Sequence, residues 1–313
     1  MDNRREVRDF LASRRAKITP QQAGLPAWGG GRRRVPGLRR EEVALLAGVS
    51  IDYYTRLERG NLDGASESVL AAIADALQLD EAERTHLDNL ARAAQPSPRR
   101  TRPRARANSV RPELQRILDA ITDVPAYLRN GRRDLLAANP LGRALYAPMY
   151  DHPDRPVNVA RFVFLDPRAH DYFLDWPTAA RDMVSALRVE AGKTPRDRAL
   201  FDLVGELSTR SDEFATFWAS QNVRFHRSGF KGIHHPVVGA LHLSFEAMEL
   251  PADPGLSLVI YSAEPGSSSD DGLRLLASWA ATTGHPTLPD TDTTRTRPTT
   301  SAEPSSLQKE SDT

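Results

Sequence analysis

Residues 43–60 read VALLAGVSIDYYTRLERG, and this stretch holds the side chains best suited to recognising another macromolecule. Arg56 presents a fork of donors that matches the guanine edge, and Asp52 an acceptor for the cytosine amino group. Tyr53 and Thr55 suit a phosphate or a thymine methyl. Catalytic chemistry has no comparable frame. Eight histidines are present, but none forms a His-x-x-x-His pair on one helix face, and the adjacent His234-His235 would point to opposite faces of a strand. Gly29-Gly30-Gly31 is followed by no Lys-Ser/Thr, so it is no phosphate loop. No nucleophile elbow frames Ser208, Ser220 or Ser244. The expectation is a protein without a metal, a cofactor or a catalytic site.

The elements that must carry these side chains are legible beside them. Val43 and Ala47 lie four apart, as do Ala44 and Gly48, so one helix face is small and apolar and admits a close neighbour. Gly48 can take a tight inter-helical turn, Ser50 is placed to N-cap the next helix, and Gly60 closes it. Two short helices joined in this way form a helix-turn-helix, whose second helix enters the DNA major groove.

The same residues resemble the lambda-repressor-like family known as xenobiotic-response-element (XRE) regulators. Its pattern is a Leu-Ala pair, a Gly-Val-Ser turn and a Leu-Glu-x-Gly ending. Here Ala44 takes the alanine position, Gly48-Val49-Ser50 the turn, and Leu57-Glu58-Arg59-Gly60 the ending. The resemblance implies that Tyr54 and Leu57 face the core while Ile51, Asp52, Tyr53, Thr55 and Arg56 point outward. Ser50, Asn61, Arg39 and Arg40 complete the DNA-facing set, and Glu58 pairs with Arg14 or, better placed, Arg15. Two departures mark this chain. Arg39 replaces the Ser or Thr that caps the second helix, and an arginine cannot accept helix N–H groups. An insert, AGLPAWGGGRRRVPG, separates the first two helices and reads as a mobile basic loop, with Arg32, Arg33 and Arg34 either on the DNA backbone or simply solvated.

The charge distribution agrees. The net charge of +1 hides an asymmetry: residues 1–110 hold 20 basic and 14 acidic side chains, the remainder 22 and 27. Phosphate affinity therefore belongs to the first part. With 313 residues the chain has room for about two domains. It has no cysteine, no apolar run near the roughly 20 residues of a membrane span and no signal-peptide core, so a soluble cytoplasmic, nucleoid-associated protein is expected.

Apolar spacing predicts helices from about Arg4 to Lys17 and Ser66 to Leu79, and a capping box, Asp80 with Glu83, opens another through Ala94. Residues 1–95 thus read as a five-helix DNA-binding domain. Residues 96–112, PSPRRTRPRARANSVRP, hold four prolines, six arginines and no acid, and read as a flexible linker. Beyond it the pattern is α+β. A helix over 113–121 precedes a hairpin turning at Asn130-Gly131-Arg132, and a helix starts at Asn139-Pro140. Helices follow near 177–191, 195–209 and 212–220, then strands near 226–235, 239–250 and 256–263, and a helix over 271–281. Residues 282–313 read as a disordered tail.

Residues 113–281 resemble the ligand-binding domain of MmyB-like transcription regulators, through PAYLRNGRRDLLAANPLGRALY, RFVFLDPRAHDYFLDW, VGELSTRSDEFATFW and HHPVVGALHLSFEAMELP with LVIYSAEPGS. Ala138 departs from the tryptophan more usual there. The resemblance implies a PAS-like α+β sensor domain that accommodates a fatty-acid-like or other apolar molecule. Phe162, Phe164, Phe173, Trp176, Trp218, Phe225 and Phe245 are the candidate pocket wall, with Arg224 and His226 as a positive rim for a carboxylate. Core packing explains the same aromatics. The whole reads as a transcription regulator on double-stranded DNA, homodimeric on a pseudo-palindromic operator. Its second domain is either a sensor or a protein-interaction and dimerisation module. With a flexible linker, an effector would act only by changing dimer geometry.

Overall fold

The structure, a computed structural model, describes residues 3–25, 37–95, 110–151, 155–223 and 228–283. The first five helices are α1 (Asn3–Lys17), α2 (Arg40–Leu46), α3 (Ile51–Glu58), α4 (Glu67–Ala76) and α5 (Glu81–Ala94). Polar side chains start them where the sequence places caps. Ser50 Oγ accepts the Tyr53 N–H at 3.1 Å, Ser66 accepts that of Val69, and Asp80 and Glu83 exchange both bonds of a capping box. At Arg39, which makes no side-chain cap, the Glu42 carboxylate accepts the Arg39 N–H instead. Gly48 turns at φ +65°. Gly60 stands at φ +93°, and a Cβ there would fall 2.2 Å from the Arg4 carbonyl oxygen. Only glycine lets the end of α3 touch α1. Val7, Phe10, Leu11, Val43, Tyr54, Leu57 and Ile73 fill the core of this unit.

The second unit opens with α6 (Pro112–Ala120), β1 (Ala126–Asn130) and β2 (Leu135–Ala138). Six helices follow: α7 (Pro140–Leu145), α8 (Ala147–Tyr150), α9 (Val159–Leu165), α10 (Ala169–Tyr172), α11 (Trp176–Lys193) and α12 (Arg198–Arg210). The chain then runs through α13 (Asp212–Ala219), β3 (Ser228–His235), β4 (Gly239–Glu249), β5 (Leu256–Ser262) and α14 (Ser268–Thr283). The five strands form one antiparallel sheet in the order β2-β1-β5-β4-β3. Residues paired across strands share a face. One face therefore carries Tyr127, Val259, Ala247, Tyr261, Phe245, Leu243 and Ile233, and it packs on the helices. The other carries Ala126, Leu128, Leu258 and Ile260 under α6. His235 is buried, with Nε2 2.9 Å from the Ala144 carbonyl, while His234 is exposed, the opposite orientation that strand geometry requires. Ala138 pairs with Tyr127 inside the core.

Two features depart from the sequence reading. Helices α8, α9 and α10 lie in a stretch too short and too aromatic for periodicity to mark. More consequentially, the two units are packed together rather than merely tethered. Helix α11 packs on α5 and reaches α1 through Arg188, and its Val189, with Val223, completes the core of the helical unit. A Pro/Arg-rich linker says nothing about such a contact, because the contact is made by residues more than a hundred positions away from those they meet.

Candidate functional site

Helix α3 presents two chemically opposed faces. Inward, Tyr54 and Leu57 are fully buried, and Glu58 is held by two arginines: Arg15 reaches both its oxygens, at 2.9 and 3.0 Å, and Arg40 donates two bonds at 3.1 and 3.2 Å. Burial disfavours the Glu58 charge, but these bonds outweigh it and hold the carboxyl below its ordinary range. The pair with α1 is thus made by Arg15. Arg14 is committed elsewhere, to Glu83 and the Gln221 carbonyl. Outward, Ile51, Asp52 and Arg56 are exposed and Tyr53 and Thr55 half-buried. The Arg56 guanidinium lies 4.8 Å from the Tyr53 ring centre.

The other members of the DNA-facing set divide. Ser50 is exposed, but its hydroxyl is occupied as a cap. Asn61 is half-buried just past α3, its N–H on the Arg56 carbonyl. Arg39 is exposed beside Glu41, whereas Arg40 is half-exposed and bonded to Glu58. Arg32, Arg33 and Arg34 lie outside the described residues. Leu45 is exposed on α2, an apolar feature that polar-contact reasoning passes over.

In the second unit the candidate aromatics do not gather into one wall. Phe162, Phe173 and Trp176 are buried in the core, and the Trp176 indole donates to the Val163 carbonyl at 2.9 Å. Phe164 packs edge-on against Phe214, and Phe245 is half-buried on the inner sheet face. Trp218 stacks on Phe214 and carries the Arg188 guanidinium 4.1 Å above its ring, at the joint between the units. Arg224, Phe225 and His226 lie outside the described residues. A cleft of about 270 Å³ opens between Met149, Val157, Phe162 and Leu165, but its polar rim is self-satisfied: Glu206 bonds both Arg161 and Arg210.

The joint itself is polar and buried, and no sequence spacing signals it. Arg188, fully buried, donates to Glu6 of α1, to Gln221 Oε1 at 2.6 Å and to the Trp218 carbonyl. His86 of α5 is buried against Gly192 of α11, with neither ring nitrogen bonded, and burial pushes its pKa down to about 3. Glu83 and His86 stand three apart on α5, a metal-ligand spacing. Glu83 is nevertheless spent on the cap and on Arg14, and His86 on packing.

A helix-turn-helix with a clean outward face, followed by an α+β unit of this build, defines a two-domain transcription regulator. Comparison with protein families agrees. Residues 8–87 match a helix-turn-helix domain, and residues 110–276, more than half of the chain, match the MmyB-like transcription regulator ligand binding domain. The chain belongs to the MmyB-like transcription regulators. No curated protein matches it. Among the described residues no helix is long and apolar enough to cross a membrane.

Proposed function

We propose that this DNA-binding transcription regulator reads its operator with α3, as an XRE-type repressor fold does. The observation that carries the reading is the division of that helix. Tyr54, Leu57 and Glu58 lock one side into the core, leaving Ile51, Asp52, Tyr53, Thr55 and Arg56 free for base edges and phosphates. Arg39, Asn61 and the arginines Arg32, Arg33 and Arg34 add backbone contacts. One such helix reads a short half-site, so the protein acts as a cytoplasmic homodimer on a pseudo-palindrome. The second domain is a PAS-like sensor for an apolar, fatty-acid-like molecule, and neither domain is an enzyme. Selection of bound DNA by the full chain should return a two-fold repeat, with half-site centres about 10–10.5 bp apart or a multiple of that. A single unrepeated site bound by a monomer would defeat the dimer reading.

The alternative, a second domain that serves as an interaction or dimerisation module, is favoured by one observation. Phe230, on the edge strand β3, is 88% exposed. Phe173 and Leu174 pair with Ile233 and Gly232 of that strand, and Phe230 stands past them, an apolar side chain at an edge position that can take a partner. If Phe230→Ser made the full chain monomeric without changing any small-molecule response, dimerisation and sensing would both belong to this domain.

A further inference from the structure

The outward face of α3 is not uniform. Successive residues of a helix turn by about 100°, so Ile51 and Thr55 form one flank of that face, Asp52 and Arg56 its middle, and Tyr53 the other flank. Asp52 and Arg56 stand four apart with the acid first, the spacing and order that favour an ion pair on a helix. Among the described residues no such pair forms, and the Arg56 guanidinium lies instead 4.8 Å from the Tyr53 ring centre. The cation is thus drawn to the Tyr53 side, away from Ile51 and Thr55. Tyr53 is half-buried against the core of the unit, so its ring is a fixed shelf for that cation.

The flank left without charge carries methyl groups. Ile51 is 51% exposed, and the half-buried Thr55 adds its γ-methyl beside it. Large exposed apolar side chains are few in this unit: among the described residues they are Leu45 and Leu46 at the end of α2 and Ile51 at the start of α3. Ile51 alone of these stands on the reading helix. The polar group that precedes it is already occupied, because the Ser50 hydroxyl accepts the Tyr53 N–H at 3.1 Å. An aliphatic side chain offers no bond to phosphate or to the polar edges of the bases. In the major groove one feature fits it, the C5-methyl group that marks thymine.

We propose that Ile51, with the Thr55 methyl beside it, reads a pyrimidine C5-methyl group, so that each half-site of the operator carries a thymine under this flank and a guanine under Arg56. The inference rests on the reading of the operator by α3 and names the base chemistry by which that helix discriminates. Asp52, between the flanks, meets an exocyclic amino group of cytosine or adenine, since phosphate repels it. Two kinds of contact then lie side by side. On one flank a methyl group is removed from water against a branched side chain, and beside it the guanidinium, steadied by Tyr53, donates charge-assisted bonds to O6 and N7 of guanine.

Thymine-to-deoxyuracil replacements in the operator selected by the full chain remove one methyl group and leave every hydrogen-bonding edge in place. At the step under Ile51, one replacement in one half-site should weaken binding of the full chain about fourfold, the contribution of one buried methyl group. Ile51→Ala should weaken binding to the thymine operator and make thymine and deoxyuracil equivalent there, whereas Ile51→Val and Arg56→Ala should keep the distinction. Ile51→Ala should also leave the melting temperature of the free protein unchanged; a fall would place Ile51 in the fold rather than in the groove. Cytosine and 5-methylcytosine at the same step separate the two sources of the methyl. The methylated base should recover part of the loss that cytosine causes, and tighter binding of 5-methylcytosine than of thymine would overturn the assignment to thymine. No effect of any replacement, or an effect that survives Ile51→Ala undiminished, would overturn the methyl-reading flank. The reading by α3 would still stand if Arg56→Ala relaxed the selected preference, and would fall with the flank if it did not.

Discussion

Arg56 and Arg40 are both cationic side chains of the helix-turn-helix, but their neighbours separate their roles. Arg56 has the Tyr53 ring beside it and is otherwise open, whereas Arg40 is bonded to Glu58. Arg56→Ala should therefore cost about 1–3 kcal/mol of operator affinity and relax preference at one base step, read from selected sequences. An unchanged preference would displace α3 from the major groove. Arg33→Ala should instead weaken all DNA alike and reduce the salt slope by about one. Glu58 acts on the fold. Its carboxyl is held below its ordinary value, so its contribution is fully present above pH 4.5 and is lost as pH falls below that, through the folded value. Glu58→Gln should flatten this acid limb in a melting-temperature profile of the full chain; an unaltered limb would show that other carboxylates control it.

At the scale of elements, the contact of α11 with α1 and α5 decides how the domains communicate. Arg188→Ala strands the Glu6 carboxylate in a buried setting, and loss of a buried partner of this kind is worth about 3–5 kcal/mol. Glu6→Ala added to Arg188→Ala should recover part of the loss in melting temperature. An additive double variant would mean that the two side chains are uncoupled. Gly192 marks the closest approach: an alanine Cβ would fall 2.7 Å from His86 Nδ1, and that ring is too buried to move aside. Gly192→Ala should thus loosen the joint despite its better helix propensity, seen as faster hydrogen exchange in α5. His86 adds a pH dependence. Its folded pKa lies below the ordinary 6.5, so the unfolded chain takes up the proton first and stability falls as pH drops from 6.5 toward 3, by roughly 2 kcal/mol by pH 5. His86→Phe should remove that slope in denaturant titrations; a slope that persists would place the proton elsewhere.

For the whole molecule, α11 is common to both units. Its Glu190 lies against Gly131 of the hairpin in the second unit, and its Arg188, Val189 and Gly192 meet the DNA-binding domain. A ligand that alters α11 therefore has a direct route to the helix-turn-helix, besides any change of dimer geometry. An effector bound by the second domain should change operator affinity by about 5–150-fold, the usual range of coupling between sites. Arg188→Ala should diminish that response while sparing effector binding, both measured on the full chain. Coupling that survived the joint variant undiminished would assign the switch to dimer geometry alone.

The amino-acid sequence by itself determined the local elements and the reading face of α3. Caps, turns and apolar spacing act within a few residues, so Ser50, Gly48, Asp80 and Glu83 declare their roles where they stand. The inward Tyr54 and Leu57, and the Arg15–Glu58 pair, were legible because a family pattern places them. Tertiary structure alone decided what joins distant positions. Arg188 meets Glu6 across 182 residues, and Arg40 turns to Glu58. Arg129 and Lys231 reach one sheet face only because β5 and β4 stand between their strands. An aromatic or an arginine has the same letter in a core, a joint or a cavity. Which of these it occupies depends on packing that no short-range spacing encodes.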